Sequence, residues 1–399
     1  KTSAEKAPAP KTHVMPAPFT ERHMQRAQMV SYEKTKFDDK WKAGQESPVD
    51  KFTHVLAGDT PGATISISFK GDSLGYFDAI GLDTGDLELS VDGGEWKPRS
   101  NWDQWCKSFR SHSRVVVENL DPNTVHEVKL RIAEAQPPES KGRFFRVGWF
   151  LVNGEVVAED PHKGLSPLEK IDAIYAAMQP VKFTPAPERW AMLPNTMKKL
   201  SEGPALKIVM LGDSIVNDTS SSKYELLLGR MYPKCKIEKV TSVRGSTGCW
   251  WYKDENRVKE YVLDHKPDLL MIGGISQRDD IESIREVIKQ VRGAQPVEVL
   301  LMTGAFGLTD PKKSKDWTFE VNSNGTDYRA KLMKLAVEEK CEFLDMTGPW
   351  GQYIREADKA RGWFMRDPIH ANERGFQILG RILEKFFAPK VTVARASRP

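Results

Sequence analysis

From residue 205 to 347 the chain repeats a single alternation that few folds accommodate. Five short apolar runs, ALKIVML (205–211), KIEKVTSV (236–243), PDLLMIGG (267–274), VEVLLMTGA (297–305) and CEFLDMT (341–347), are separated by stretches of helical periodicity. Those stretches are SKYELLLGRMY, DENRVKEYVLDH, DDIESIREVIKQVRG and DYRAKLMKLAVEEK. Several of the apolar runs show no polar alternation, as expected of strands buried on both faces. Such strands alternating with helices form a parallel sheet covered on both sides, so the spacing predicts a doubly wound α/β domain over 205–390. Ligands bind open sheets of this class at the carboxyl ends of the strands. Chemistry is therefore to be sought just after each run.

The first half follows another pattern. Between 48 and 156 the runs TISISF, LELSVDGG, SRVVVENLDPNTVHEVKLRI and RFFRVGWFLVNG are short, β-rich and punctuated by Gly, Asp, Asn and Pro. With no helical periodicity among them, they predict a β-sandwich. Residues 1–47 read as a tail with a short polar helical stretch. Residues 157–204 read as a linker, Pro-rich at KFTPAPERW and helical at MLPNTMKKLSEG, and 391–399 as a C-terminal tail. At 399 residues the chain is long enough for two domains.

Composition removes several classes of function. A net charge of +4 with no Lys/Arg-rich block argues against a nucleic-acid partner. The longest apolar runs fall well short of the ~18 residues that a membrane-spanning helix needs. The four cysteines, Cys106, Cys235, Cys249 and Cys341, lack metal-ligand spacing, so no metal or other cofactor is expected. Cys235 and Cys249 flank one strand, too far apart for a disulfide, and free thiols are expected in the α/β domain. The opening KTSAEKAPAPKTHVMPAPF resembles the segment left when a signal peptide is removed, although a cloning boundary looks the same. The expectation is an exported protein.

Two serines compete for attention. FKGDSLGYF (69–77) contains a literal Gly-Asp-Ser-Leu and also fits the G-x-S-x-G nucleophile pattern at Ser73. VMLGDSIVND (209–218) fits neither strictly. A nucleophile of this kind stands on a strand-to-helix turn, which exposes its hydroxyl and aims the positive end of a helix at the developing oxyanion. Ser73 follows an alternating strand and precedes turns and further strand, so it reads as a structural hairpin serine. Ser214 follows the buried run LKIVML and precedes a helical pattern, at the edge where ligands bind.

Other residues collect at that edge. After the second run, VRGSTGCWW offers the N–H of Gly245; after the third, GGISQ offers the amide of Gln277. Near the C-terminus RDPIHANERG places Asp367 three residues before His370, ahead of a helix that Asn372 is suited to cap. In order and placement, GDSI, RGSTG and DPIHAN resemble the Ser, Gly and His blocks of the SGNH/GDSL hydrolase superfamily over about 205–388. The third block departs from it, with Gln277 at the position of the family's Asn and Ile275 at that of its Gly. The resemblance implies a triad of Ser214, His370 and Asp367. It also implies an oxyanion hole from the N–H groups of Ser214 and Gly245 with the Gln277 amide, leaving Ser276 or the two backbone N–H groups alone as alternatives. It further implies acyl transfer through an acyl-enzyme on Ser214, without a cofactor.

Trp250, Trp251 and Trp363 adjoin these blocks and are expected at the rim, as faces for a pyranose or as loop packing. Arg244 and Arg366 each precede a block residue, and are either binders of a uronate or sulfate or ordinary surface arginines. In the β-domain WKPRSNWDQWCKSFRSHSR mixes tryptophans with basic residues, as a glycan surface or a strand-edge loop. A jelly-roll, galactose-binding-like module ahead of an SGNH domain resembles secreted carbohydrate esterases, family 2 above all. That implies a carbohydrate O-acetylesterase acting on a polysaccharide or oligosaccharide. A lipase or thioesterase on the same fold, and a non-catalytic glycan-binding protein, are the competing readings. Nothing in the pattern bears on oligomeric state.

Overall fold

A computed structural model describes residues 27–321 and 325–390. They fall into two compact units, the first ending at Pro161 and the second beginning at His162. The presumed signal-peptide remnant and the 391–399 tail lie outside the described residues.

The first unit is a β-sandwich of ten antiparallel strands: β1 (Gln28–Ser31), β2 (Lys36–Phe37), β3 (Lys42–Gln45), β4 (Val55–Gly58), β5 (Thr64–Ile80), β6 (Leu87–Val91), β7 (Lys97–Arg99), β8 (Arg110–Val117), β9 (Val125–Ile132) and β10 (Phe145–Val156). β5 serves both layers. Thr64–Lys70 pairs with β9, Leu74–Ile80 pairs with β8, and most of its length also pairs with β10. The handover falls at Gly71-Asp72-Ser73, where the register against β10 shifts: Ser73 faces Asn153 and Gly71 faces Gly154. Asp72 is thus the extra residue of a β-bulge.

The literal Gly-Asp-Ser-Leu motif is therefore interior to a 17-residue strand, not a hairpin turn as its surroundings suggested. Ser73 is 4% exposed, and its hydroxyl donates to Asp72, whose carboxylate also accepts the Asn153 amide at 2.7 Å. Gly71 is required by close approach, since a Cβ there would lie 2.1 Å from the Asn153 carbonyl oxygen.

Two segments differ from the sequence expectation. β1 to β3 occupy the stretch read as a tail with a polar helix. β1 pairs with Trp149–Val152 of β10, yet only Val30 of its four residues is buried, so its apolar periodicity is too weak to announce a strand. The stretch read as a linker belongs to the second unit from His162 onward. It contributes the expected helix Pro194–Glu202 and another, Pro167–Ala176, whose start is fixed by a capping box between Ser166 and Glu169. Val181, Leu193 and Leu200 are buried in the core of that unit.

The second unit is a doubly wound α/β domain. Its five parallel strands are β11 (Ala205–Gly212), β12 (Lys236–Val243), β13 (Leu269–Ile272), β14 (Glu298–Met302) and β15 (Glu342–Leu344), in the order β12-β11-β13-β14-β15. The unbroken apolar runs divide between its two faces. Ile208, Met210, Met271 and Leu300 enter one hydrophobic cluster, while Val209, Leu211, Leu270 and Leu301 enter the other. Helices cover both faces, the longest being Ile281–Ala294 and Glu373–Phe387. The chain leaves β11 for β12 on one side and returns to β13 on the other. The carboxyl end of β11 is thus the topological switch point, where such sheets open a crevice. Cys235, Cys249 and Cys341 of this unit are buried and unbridged, as expected, and Cys106 of the first unit is buried and unbridged too.

Two substitutions separate the roles at the bulge. Gly71→Ala is expected to destabilise the chain by about 2–4 kcal/mol, because backbone must shift to admit the methyl. Ser73→Ala removes a single hydroxyl hydrogen bond, worth about 1 kcal/mol. Urea unfolding midpoints of the two variants measure the difference.

Candidate active site

The turn leaving β11 is held by Asp213. It caps the helix Ser214–Ser221, accepting the Ile215 N–H at 2.9 Å. Its other oxygen accepts the N–H groups of Ile275 and Ser276, each at 2.7 Å, from the loop that follows β13. Asp213 is fully buried. Gly274 is required opposite it: its φ is +99°, and a Cβ there would lie 2.5 Å from the Asp213 carboxylate. One buried carboxylate thereby joins the loops of two neighbouring strands. Asp213 was not among the residues expected at the site, although its place before the first helical residue marks it as an N-cap.

Ser214 is that first helical residue, and helix geometry leaves its N–H without an intrahelical acceptor. Its hydroxyl lies 2.9 Å from His370 Nε2. His370 Nδ1 is 3.0 Å from each oxygen of Asp367. Asp367 Oδ1 also accepts the backbone N–H groups of Ile369 and His370 at 2.9 Å. Partial burial pushes the Asp367 carboxyl up, but these two N–H groups and the His370 ring outweigh it and hold it below the usual carboxylate range. The structure thus brings Ser214, His370 and Asp367 together from two distant segments. Asn372 caps the helix after them, accepting the N–H groups of Arg374 and Gly375.

Asp218, one turn beyond Ser214, was not marked by the sequence analysis. It is fully buried, and its Oδ2 accepts the N–H of Ala371 at 2.8 Å, directly after His370. Its Oδ1 has no hydrogen-bond partner and lies 3.7 Å from Arg366 Nη2. Burial pushes this carboxyl up to about 6, with the Ala371 N–H, Arg366 and His370 pulling partway back.

Gly245 follows β12 and is exposed; a Cβ built on it meets nothing within 4 Å. Gln277 does not take the role expected of it. It is 1% exposed, its amide nitrogen donates to the Gly273 carbonyl and its oxygen accepts the Cys249 N–H, both at 2.9 Å. One methylene longer than Asn, the side chain has turned back into the fold and ties two loops together. The N–H of Ser276 is likewise engaged, by Asp213. Ser214 and Gly245 remain as backbone donors. Cys249 is fully buried, and burial pushes its thiol far up.

The tryptophans are not bare platforms. Arg278 lies over Trp250 at 3.8 Å, and the Trp250 indole N–H donates to the Ser276 carbonyl. Trp251 carries Arg244 at 4.6 Å and Arg257 at 3.8 Å, and meets Tyr252 and Tyr261 edge-on. Trp363 carries Arg374 at 3.7 Å. Arg366 is half exposed and bridges Asp218 and Asp367, so its guanidinium faces the carboxylate that contacts the His370 ring. Among the described residues no group of three or more His, Cys, Asp or Glu is arranged to hold a metal ion.

No family model matches the chain, and no curated protein matches it. Solved structures resemble it. A two-domain esterase active on acetylated mannans is 16% identical, with a TM-score of 0.40 over 49% of this chain and 52% of that one. The chain thus spans about half the length of that esterase. A carbohydrate esterase family 2 enzyme with a carbohydrate-binding domain, from Corynascus thermopiles (Myceliophthora fergusii), is 15% identical, with a TM-score of 0.30 over 87% of this chain and 98% of that one. A protein assigned to the G-D-S-L lipolytic family, from Desulfitobacterium hafniense DCB-2, is 17% identical, with a TM-score of 0.33 over 45% of this chain and 99% of that one. At these scores and identities the likeness bears on neither activity nor substrate.

The Asp218 carboxyl makes a pH-dependent contribution of known sign. Its folded value of about 6 lies above the ordinary Asp value of about 3.9, so the native chain holds the proton more tightly than the unfolded chain. Its contribution to stability is full below about pH 4 and is lost as pH rises through about 6, by on the order of 2–3 kcal/mol. Asp218→Asn lacks this ionisation. Urea unfolding from pH 4 to 7 is expected to show the variant gaining on the wild type by that amount; a constant difference across the range contradicts it.

Proposed function

We propose that the chain is a serine ester hydrolase that removes O-acetyl groups from a polysaccharide or oligosaccharide through an acyl-enzyme on Ser214. The observation that carries this reading is the 2.9 Å contact of His370 Nε2 with Ser214 Oγ, with Asp367 on the other ring nitrogen, at the switch point of a parallel sheet. His370 accepts the Ser214 proton as the oxygen attacks the acetyl carbonyl. The imidazolium is stabilised by Asp367 and returns the proton to the departing sugar hydroxyl. Water then repeats the sequence on the acyl-enzyme and releases acetate. Asp367, kept ionised by its own N–H donors, fixes the ring tautomer.

The tetrahedral oxyanion is met by the N–H groups of Ser214 and Gly245. The positive end of the Ser214–Ser221 helix adds to them. A preference for a short acyl group follows from the lining, because the loop after β12 presents Arg244, Gly245 and Ser246, all exposed and none suited to a long alkyl chain. An exported protein remains the expected setting. Among the described residues no helix is long and apolar enough to cross a membrane.

Hydrolysis of 4-nitrophenyl acetate, butyrate and octanoate tests the reading. Turnover is expected to favour acetate, to survive Ser73→Ala, and to fall by about 10⁵–10⁶-fold in Ser214→Ala or His370→Ala. Asp367→Ala is expected to fall by about 10³–10⁴-fold. A preference for octanoate would instead indicate a lipase. Wild-type rates in Ser214→Ala would overturn the assignment of the nucleophile.

Gly245→Ala separates catalysis from packing. Its methyl enters open space, so the unfolding midpoint is expected to stay within about 0.5 kcal/mol of the wild type. With the methyl standing where substrate approaches, kcat/KM for the acetate ester is expected to fall by about tenfold or more.

A further inference from the structure

We infer that the loops on either side of Ser214 form a subsite for an anionic sugar, one bearing a carboxylate or a sulfate, with Arg244 and Arg278 as its charge partners. This rests on the acetylesterase reading above and names its substrate class. β12 and β13 are the two neighbours of β11, so the loop carrying Arg244 and the loop carrying Arg278 open on opposite sides of the nucleophile strand. At about 5 Å per strand spacing, the two loops start within about 10 Å of one another. They also converge, since the Trp250 indole N–H from the first donates to the Ser276 carbonyl of the second at 2.8 Å.

Both arginines are exposed, and among the described residues neither forms an ion pair. Arg278 makes its contact with the Trp250 ring, and Arg244 with the Trp251 ring and, at 3.3 Å, the Thr247 hydroxyl. The two acidic residues that directly follow Arg278 are engaged elsewhere. Asp279 pairs with Lys331, and Asp280 caps the helix Ile281–Ala294 through Ser283. The edge therefore carries two uncompensated positive charges beside the nucleophile.

Their mounting decides what they are suited to bind. A guanidinium lying over an indole is oriented by cation–π attraction, and its N–H groups project from its rim. Each indole is itself anchored: Trp250 by the Ser276 carbonyl, Trp251 by Tyr252, Tyr261 and Arg257. Such a guanidinium loses less freedom on capturing an oxyanion than a mobile lysine would, and it presents the fork that matches carboxylate and sulfate oxygens. The same stacking covers the indole faces, which weakens the case for a neutral pyranose stacked on them.

Binding to Ser214→Ala tests the subsite without requiring turnover. The probes are non-acetylated oligogalacturonate, a sulfated galactan oligosaccharide and a neutral xylo-oligosaccharide of equal length, measured by calorimetry at low and at high salt. At least one anionic probe is expected to bind about tenfold or more tighter than the neutral one at low salt. That preference should be lost at high salt and in Arg244→Gln/Arg278→Gln. Arg244→Lys/Arg278→Lys should keep part of it, which excludes simple misfolding of the double variant. The carboxylate and sulfate arms identify which anion is read. Equal binding of all three probes, or an anionic preference that persists in the Gln double variant, overturns the subsite. Hydrolysis of 4-nitrophenyl acetate by the wild type is scored separately: an active esterase without discrimination overturns the subsite alone, and discrimination without hydrolysis overturns the esterase reading alone.

Discussion

The site depends on one buried carboxylate. Asp213 accepts three backbone N–H groups, one from the helix that carries Ser214 and two from the loop after β13. Hydrogen bonds to a charged acceptor are worth about 1.5–3 kcal/mol each, and a buried carboxylate without them would be strongly unfavourable. The group therefore ties together the loops that leave two neighbouring strands, β11 and β13. Further ties extend from the same loop. The Ser276 carbonyl holds Trp250, and Gln277 holds the backbone of Cys249. The loops after β11, β12 and β13 form one hydrogen-bonded assembly, with Ser214 at its centre.

That assembly explains which parts of the molecule were legible in the sequence. The parallel strands were legible because both of their faces are buried, so composition alone marks them: Val209 and Leu211 serve one face, Ile208 and Met210 the other. Ser214 was legible because a strand-to-helix turn is a local event. His370 and Asp367 were legible because their own turn is closed locally by the N–H groups of Ile369 and His370. β1 was not, because an edge strand facing solvent needs only Val30 and its neighbours on β10 to be a strand. The link from Asp213 to the β13 loop and the role of Asp218 were not, because their partners there, Ile275 and Ala371, lie far away in the chain. Gln277 shows the limit of counting positions. The register placed it correctly on the loop, but a longer side chain reached partners behind the loop instead of in front of it.

The aromatic rim follows the same logic. Tryptophans beside a hydrolase motif suggest stacking on sugars, and composition carries that suggestion no further. The structure adds guanidiniums over the rings of Trp250, Trp251 and Trp363. An arginine on an indole replaces an apolar face with an oriented cation, so the chemistry of the rim shifts from neutral stacking towards charge. Arg244 and Arg278 are exposed, which limits the strength of each, because salt and water screen it.

Asp218 poses the opposite problem, a carboxylate kept where its ionised form is costly. Its use lies in its position one turn after Ser214, which lets it accept the Ala371 N–H and so hold the backbone beside His370 against the helix that carries Ser214. An uncharged acceptor could make that hydrogen bond. What the carboxylate adds is a claim on Arg366, which also faces Asp367. With Asp218 ionised, the guanidinium is shared between two carboxylates, and Asp367 keeps more of its charge for the His370 ring. With Asp218 protonated, Arg366 has only Asp367 to neutralise, at the expense of His370. Because Arg366 is half exposed, the coupling is screened and modest. It nevertheless makes the ionisation of Asp218 part of the electrostatics of His370.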